Sequence, residues 1–551
     1  IAQAKTGTGK TMAFLIPVLQ NIISEDPSLG DRGSRHLRTT ADDIRAIIVS
    51  PTRELAEQIA TEARRLVRNT SVIVQAAVGG TQKRAMLQQT QRQGCHILVG
   101  TPGRLNDILS DPYSGIKAPK LTAFVLDEAD RLLDQGFWPE IQNIQRELPD
   151  TKEVDRQTMM FSATVPMDVI QAVRSTLKPG FRFVKCVRDD EEPTHARVPQ
   201  KFIQTEGLEN VMPTLLELCQ RETAAQKESG SPFKALVYFN STAEVTMAAD
   251  IFQGIARSAL PGTRIFEIHS KLSQQQRTAQ SDNFRRSESA ILFSSDVTSR
   301  GMDFPNVTHV IQVGCPKTRE DYIHRIGRTG RAGKEGKGYL IVPPLDASEI
   351  RYRLRDLPIR SDDTLLTDKI DMTKEQPMPA GAASVLTSIT QAYRNVDRGT
   401  KAKVYQAYLG VYQWVKNKQQ LIDSMHRLTR YGWGMESPPT ISPALARRLG
   451  LDRLRGVNLQ ERESFGGRES FGGRDDSGGG GGGGRSGYGS RGGGRFDRRG
   501  SSSGGGGGGG YSGGGRYRDA FEESSGGPPP PRTGRSGGFN RDRGASRTRG
   551  F

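Results

Sequence analysis

Through the first third of the chain, short β-branched apolar runs alternate with stretches whose apolar residues recur at helical spacing. The runs are Ala46–Val49, Val72–Val78, His96–Val99, Leu121–Leu126 and Thr158–Phe161, with helical patterns such as Glu54–Val67 and Glu140–Leu148 between them. That alternation predicts βαβ units and a parallel sheet over residues 1–185. Residues 186–199 (CVRDDEEPTHARVP) are charged, carry two prolines and lack periodicity, so a linker is expected there. The alternation restarts in KALVYFNS (234–241), RIFEIHS (264–270), SAILFSSD (289–296), THVIQVG (308–314) and KGYLIVPP (337–344), giving a second parallel-sheet domain over 200–345. From 346 to 456 the strand pattern disappears. Segments such as Ser384–Asn395 and Lys401–Lys418 carry apolar and aromatic residues at helical spacing among many Lys and Arg, which reads as a basic helical extension.

Composition changes the picture at one end. Residues 457–551 are dominated by Gly, Ser and Arg, with too few apolar residues to offset ordering entropy, so this tail is expected to be disordered. From 461 on it holds 16 Arg and no Lys against 10 acids, a net of +6 out of the chain's +17. Most of the excess therefore belongs to the folded part, and it favours a polyanionic partner. The four cysteines (Cys95, Cys186, Cys219, Cys315) lie far apart and form no zinc or disulfide spacing, which fits a reducing compartment. No apolar run is long enough to cross a bilayer. Residue 1 is Ile, and Ile1–Ala4 read as the end of a buried strand, so the sequence looks truncated inside a domain and any targeting peptide would lie upstream.

Candidate chemistry begins at AKTGTGKT (4–11), which has the form of a phosphate-binding loop between strand and helix. Ala4, Lys5, Thr6, Gly7, Thr8 and Gly9 would form the loop, whose glycines allow backbone N–H groups to face phosphate oxygens. Lys10 would reach the β and γ phosphates, and the Thr11 hydroxyl would ligate Mg²⁺. A Gly-rich turn is the plain alternative. VLDEAD (125–130) weakens that alternative, because an apolar strand delivers Asp127 and Glu128 to its carboxyl end, where open α/β sheets bind ligands. Asp127 would hold Mg²⁺, partly through water, and Glu128 would deprotonate the attacking water. A solvated acidic helix start is the competing reading of that pair. Loop and acidic pair together predict hydrolysis of a nucleoside triphosphate.

Further elements follow in order: PTRELA (51–56), GG (79–80), TPGR (101–104), SAT (162–164), QQQR (274–277), SSDVTSRGMD (294–303) and HRIGRTGR (324–331). With the loop and DEAD (127–130), this set resembles the motifs of DEAD-box RNA helicases. The resemblance covers nearly all of residues 1–345 and implies two RecA-like domains that close around ATP and single-stranded RNA. It gives Lys10, Glu128, Arg328 and Arg331 catalytic parts, the two arginines as fingers reaching the γ-phosphate from the second domain. It sets Asp303 against the nucleotide ribose, and makes Ser162, Thr164, Asp130 and His324 the network coupling hydrolysis to closure. RNA contacts are implied at Thr52, Arg53, Gly80, Thr101 and Arg104 in the first domain, and at Gln274, Arg277 and Ser295 in the second. Ser295 stands where the family usually has Thr. The family's adenine-reading Gln element would lie upstream of Ile1.

The extension is similar to that of fungal mitochondrial DEAD-box helicases acting as RNA chaperones in intron splicing. That implies a mitochondrial matrix protein, with nucleus or cytoplasm as the alternative, and an enzyme acting as a monomer without a membrane. Its Tyr and Trp residues fit a helical core better than base-stacking platforms. In the tail, Arg and Gly interleave with Tyr488, Phe496, Tyr511, Tyr517 and Phe539, a composition suited to a mobile, nonspecific RNA tether. Two other functions stay open: an annealing clamp in which the tail dominates, and a DNA-translocating motor, which the motif spelling disfavours.

Overall fold

A computed structural model of the protein describes residues 1–4, 8–32, 39–134, 136–164, 169–170, 174, 176–186, 198–299, 302–331 and 334–460. Lys5, Thr6 and Gly7 of the phosphate loop, most of the 186–199 linker and the tail from 461 lie outside the described residues. All described residues belong to one compact unit, Ile1–Ser464.

Seven parallel strands form the first sheet: β1 (Ala2–Gln3), β2 (Ala46–Val49), β3 (Val74–Ala77), β4 (Ile97–Gly100), β5 (Ala123–Leu126), β6 (Gln157–Ser162) and β7 (Val184–Lys185). Their spatial order is β3-β4-β2-β5-β6-β1-β7. β2 is an interior strand, with Ala46 opposite both Ile97 and Ala123. Both faces of this sheet are covered, which is why its strands read as continuous apolar runs. Ile47 and Val49 pack into one core with Phe124 and Leu126, while Ala46 and Ile48 face the opposite core with Phe14 and Leu15.

The second sheet repeats the plan with β8 (Gln200–Gln204), β9 (Lys234–Tyr238), β10 (Arg264–Ile268), β11 (Ala290–Ser294), β12 (His309–Val313), β13 (Lys337–Val342) and β14 (Ile359–Ser361). The order is β10-β11-β9-β12-β13-β8-β14, again all parallel. β14 lies in a stretch that the apolar pattern gives no strand. It is a three-residue edge strand on β8 with its last two residues exposed, so no apolar run marks it.

Helix starts are set by side chains at the carboxyl ends of these strands. Thr52 caps Arg53–Leu66, Ser241 caps Thr242–Ala259, and Ser273 with Gln276 makes a reciprocal capping box on Gln274–Arg286. Each cap holds the first turn of a helix at the edge where both sheets present their loops.

The extension is built from helices Ala380–Asn395, Arg398–Val411, Lys418–Arg427 and Pro443–Leu449. Its buried Tyr393, Tyr405, Tyr408, Tyr412 and Trp433 join Phe239, Val245 and Phe252 of the second domain in a single core. Each such aromatic contributes on the order of 2–3 kcal/mol by area burial, so the extension is a continuation of that domain's core. The four cysteines are all free. No helix among the described residues is long and apolar enough to cross a membrane.

Candidate active site

Strand β1 is followed by Ala4, whose N–H donates to the Ser162 carbonyl at 3.1 Å. Past the loop, Gly9 has φ +92°, a left-handed conformation that leaves Lys10 to open the helix Lys10–Glu25. Lys10 is buried. Its Nζ donates to the Ala4 carbonyl at 3.3 Å and stands 3.5 Å from Glu128 Oε1. A helix start carries partial positive charge, so a buried lysine placed there suits an anion. Thr11 follows one residue on, half-buried.

The Asp127 N–H donates to the Val49 carbonyl at 2.9 Å, continuing the sheet, and the chain turns sharply at Glu128. Glu128 has φ +50°, a left-handed backbone on a residue with a Cβ, which costs about 1–2 kcal/mol. Strain of this kind persists only where neighbours fix it, and here it aims the carboxylate at Lys10. Asp127 is 3 % exposed, and its Oδ1 is buried without a hydrogen-bond partner among the described residues. Burial first, and then the neighbouring Glu128 charge, push the Asp127 carboxyl up to about 7. A divalent cation would supply the missing partner and reverse both effects, so Asp127 and the Thr11 hydroxyl fit Mg²⁺.

Behind the acidic pair, Asp130 joins three elements. Its N–H donates to Ser162 Oγ at 3.4 Å, its Oδ2 accepts from Thr164 Oγ1 at 2.8 Å, and His324 Nε2 of the second domain lies 3.5 Å from the same oxygen. Ser162 Oγ donates in turn to the Thr164 carbonyl at 2.6 Å. The four residues expected to couple hydrolysis to closure therefore lie together. A fifth residue escaped the sequence reading. Arg131, buried, donates across the cleft to the Asp296 carbonyl at 2.9 Å and to Ser299 Oγ at 3.4 Å. The available signal was a guanidinium directly after the acids and before Leu132–Leu133, a place where a solvated arginine is out of character.

Arg328 and Arg331 project from the second domain and both donate to the Met302 carbonyl, at 2.9 and 3.2 Å. Arg328 is 2 % exposed, and its Nη2 has no hydrogen-bond partner among the described residues. Burial and the adjacent Arg331 charge lower its guanidinium to about 9, while the Glu128 charge opposes them. It stays cationic at neutral pH with a donor unspent. Arg331 instead pairs with Asp303 Oδ1 at 2.6 Å, and the Asp303 N–H donates to Gln58 Oε1 of the first domain at 3.0 Å.

The expected RNA positions divide into two groups. Thr52, Arg53, Gly80, Thr101 and Arg104 line the carboxyl edge of the first sheet. Arg53 lies against Gly79 and Gly80, where a Cβ on Gly79 would stand 3.2 Å from its Nη2, and Gly80 itself has φ +78°. Arg104 is anchored by Thr81, donating to its hydroxyl at 3.2 Å and its carbonyl at 2.9 Å. Thr52 and Thr101 sit at the N-caps of their helices. In the second domain Ser295 follows β11, its N–H donating to the Ile268 carbonyl at 3.4 Å. Gln274 and Arg277 are turned elsewhere. Both are buried on Glu54 of PTRELA, with Gln274 Nε2 at 3.3 Å and Arg277 Nη2 at 2.5 Å from Glu54 Oε1. In this conformation they bridge the domains, and Glu54 is a further interdomain residue that the sequence reading missed.

Residues 1–173 match the DEAD/DEAH box helicase family, and residues 213–333 match the helicase conserved C-terminal domain. The ATP-dependent RNA helicase mss116, mitochondrial, of Aspergillus fumigatus is 53 % identical over 467 residues, covering 83 % of this chain and 71 % of that protein. The ATP-dependent RNA helicase cyt-19, mitochondrial, of Neurospora crassa is 48 % identical, covering 84 % of this chain and 74 % of its own length. Among solved structures, Mss116p bound to single-stranded RNA and AMP-PNP superposes with a TM-score of 0.69 at 27 % identity, over 83 % of this chain and 88 % of that one.

Proposed function

The chain belongs to the DEAD-box ATP-dependent RNA helicases, and from that premise we propose that its ATPase drives local, non-processive separation of short RNA duplexes. One observation carries the reading. The groups suited to ATP are divided between two domains, Lys10 and Glu128 in one and Arg328 and Arg331 in the other, and the second domain already meets the DEAD segment through His324 and the adjacent Arg131 through the Asp296 carbonyl.

ATP occupies the space between the Lys10 helix start and the arginines. Water attacks the γ-phosphorus, its proton passes to Glu128, and the bond to the β-phosphate oxygen breaks with the electron pair leaving on ADP. Mg²⁺, held by Thr11 and Asp127, supplies Lewis-acid neutralisation of the phosphate oxygens when bound. The Arg328 and Arg331 guanidiniums counter charge developing on the γ-phosphoryl group, and Lys10 does so from the first domain. Asp303 meets the ribose. Closure also joins the RNA-facing edges, so Thr52, Arg53, Gly80, Thr101, Arg104 and Ser295 grip phosphates and 2′-hydroxyls of one strand without reading its bases. In this reading Gln274 and Arg277 work by closing that track onto Glu54. Phosphate release reopens the clamp.

The protein acts as a monomer in the mitochondrial matrix, remodelling RNA in intron splicing and RNA processing. The mitochondrial names of the two fungal relatives and the likeness of the extension support that placement. The Arg-rich tail raises the local concentration of RNA as a tether. A chain cut before residue 461 separates the motor from an annealing chaperone. The motor reading predicts that it still displaces a strand from a short RNA duplex with ATP, while binding RNA more weakly and with a shallower salt dependence. Loss of ATP-driven displacement together with the tail would favour the chaperone.

A further inference from the structure

Two tyrosine hydroxyls of the extension meet buried carboxyl groups, Tyr412 on Asp346 just past β13 and Tyr408 on Glu244 of the second domain, and the first pair begins a route to the cleft. Tyr412, 3 % exposed, donates to Asp346 Oδ2 at 3.2 Å. The same carboxylate oxygen accepts the Cys315 N–H at 3.0 Å, in the loop after β12. The Cys315 carbonyl accepts from Asn240 Nδ2 at 2.9 Å, in the loop after β9, and Asn240 Oδ1 accepts from Arg325 Nη2 at 3.2 Å. Arg325, fully buried, also clamps Asp296 Oδ1 through Nη2 at 2.7 Å and Nε at 2.9 Å. The Asp296 carbonyl then receives Arg131 of the first domain, whose own N–H donates to Asp130 Oδ1 at 3.0 Å.

Local backbone geometry keeps these loops together. Gly314 has φ +78°, and a Cβ there would stand 2.9 Å from Asn240 Nδ2 and 3.2 Å from Asp346 Oδ2, so only glycine lets the two side chains approach. The second pair, Tyr408 with Glu244, fixes the same helix beside Ser241, the residue after Asn240. Every member of the route is thus a buried or half-buried group held by a named partner, and it runs without a gap from the extension to the DEAD segment.

We infer that Tyr412 and Asp346 are positioning residues for closure: the extension sets the pose of Arg325 and Asp296 that receives Arg131 when the domains meet. This rests on the RNA-stimulated ATPase proposed above. The alternative is a purely architectural role, in which the extension keeps the second domain folded and nothing more.

RNA-stimulated ATP hydrolysis of the full chain separates the two, using Tyr412→Phe, Arg131→Ala and the double variant, with Asp346→Asn as a second probe of the same joint. Phenylalanine keeps the buried ring and removes only the donor. The expected result is a rise of roughly 3- to 10-fold in the RNA concentration for half-maximal rate, with kcat at saturating RNA changed less than about 2-fold. In the Arg131→Ala background the Tyr412→Phe change should then have little further effect, because the route is already cut. A Tyr412→Phe protein that melts earlier but keeps its RNA half-saturation overturns the inference, as do effects that simply multiply in the double variant. If the unsubstituted chain itself shows no RNA stimulation, the ATPase reading fails instead.

Discussion

Glu128→Gln lowers the rate of ATP hydrolysis by at least about 100-fold, the range for loss of a positioned general base, while ATP and RNA still bind. The expectation comes from what the substitution preserves. Gln is the same size, and its amide oxygen can still face Lys10, so the strained turn at φ +50° and the 3.5 Å approach keep their shape. What is lost is the negative charge, and with it the capacity to take a proton. A factor of 100 corresponds to about 2.7 kcal/mol of transition-state stabilisation. Single-turnover hydrolysis beside RNA binding with ATP checks it. RNA held longer than by the unsubstituted protein marks a clamp arrested in its closed state. Hydrolysis within tenfold of normal would remove Glu128 from the chemistry.

Arg328→Ala is the second large effect, a loss of about 1,000-fold or more in kcat, the lower bound for removal of an arginine finger. The Nη2 of the buried guanidinium has no partner among the described residues, and phosphate is the natural recipient. Its charge is held out of water, where an arriving γ-phosphate is attracted more strongly than in bulk solvent. RNA binding that depends on the tail should survive this change, because residues 461–551 carry their own net charge of +6. Lysine should not rescue it, since an ammonium cannot reproduce the planar fork that also donates to the Met302 and His324 carbonyls. Equal loss of hydrolysis and of RNA binding would contradict the division of labour between the domains.

Much of this was legible in the sequence because it is written in contiguous residues. The inner strands β2, β4, β5, β9 and β11 are buried on two faces and so appear as nearly unbroken apolar runs. The loop and the DEAD segment each supply several ligands within a few positions. What stayed hidden depends on residues far apart in the chain. Glu54 meets Gln274 and Arg277 across more than 200 positions, and no local pattern announces a pair that exists only when two domains close. Arg131 reads as one more charge after an acidic motif until its partners on Asp296 and Ser299 are known. In the extension, helical spacing marked Tyr408 and Tyr412 as core, yet nothing local tied their hydroxyls to Glu244 and Asp346. Strand β14 was silent because an exposed edge of three residues needs no apolar run.

The central claim is that RNA and ATP close the two domains together, and the most direct measurement is the steady-state rate of ATP hydrolysis by the full chain with and without single-stranded RNA. A rate raised at least about tenfold by RNA is the predicted result, since closure brings Arg328 to a phosphate held by Lys10. A rate indifferent to RNA would contradict the account, because both sets of residues would then be working without the coupling that Asp130, His324 and Arg131 are placed to provide.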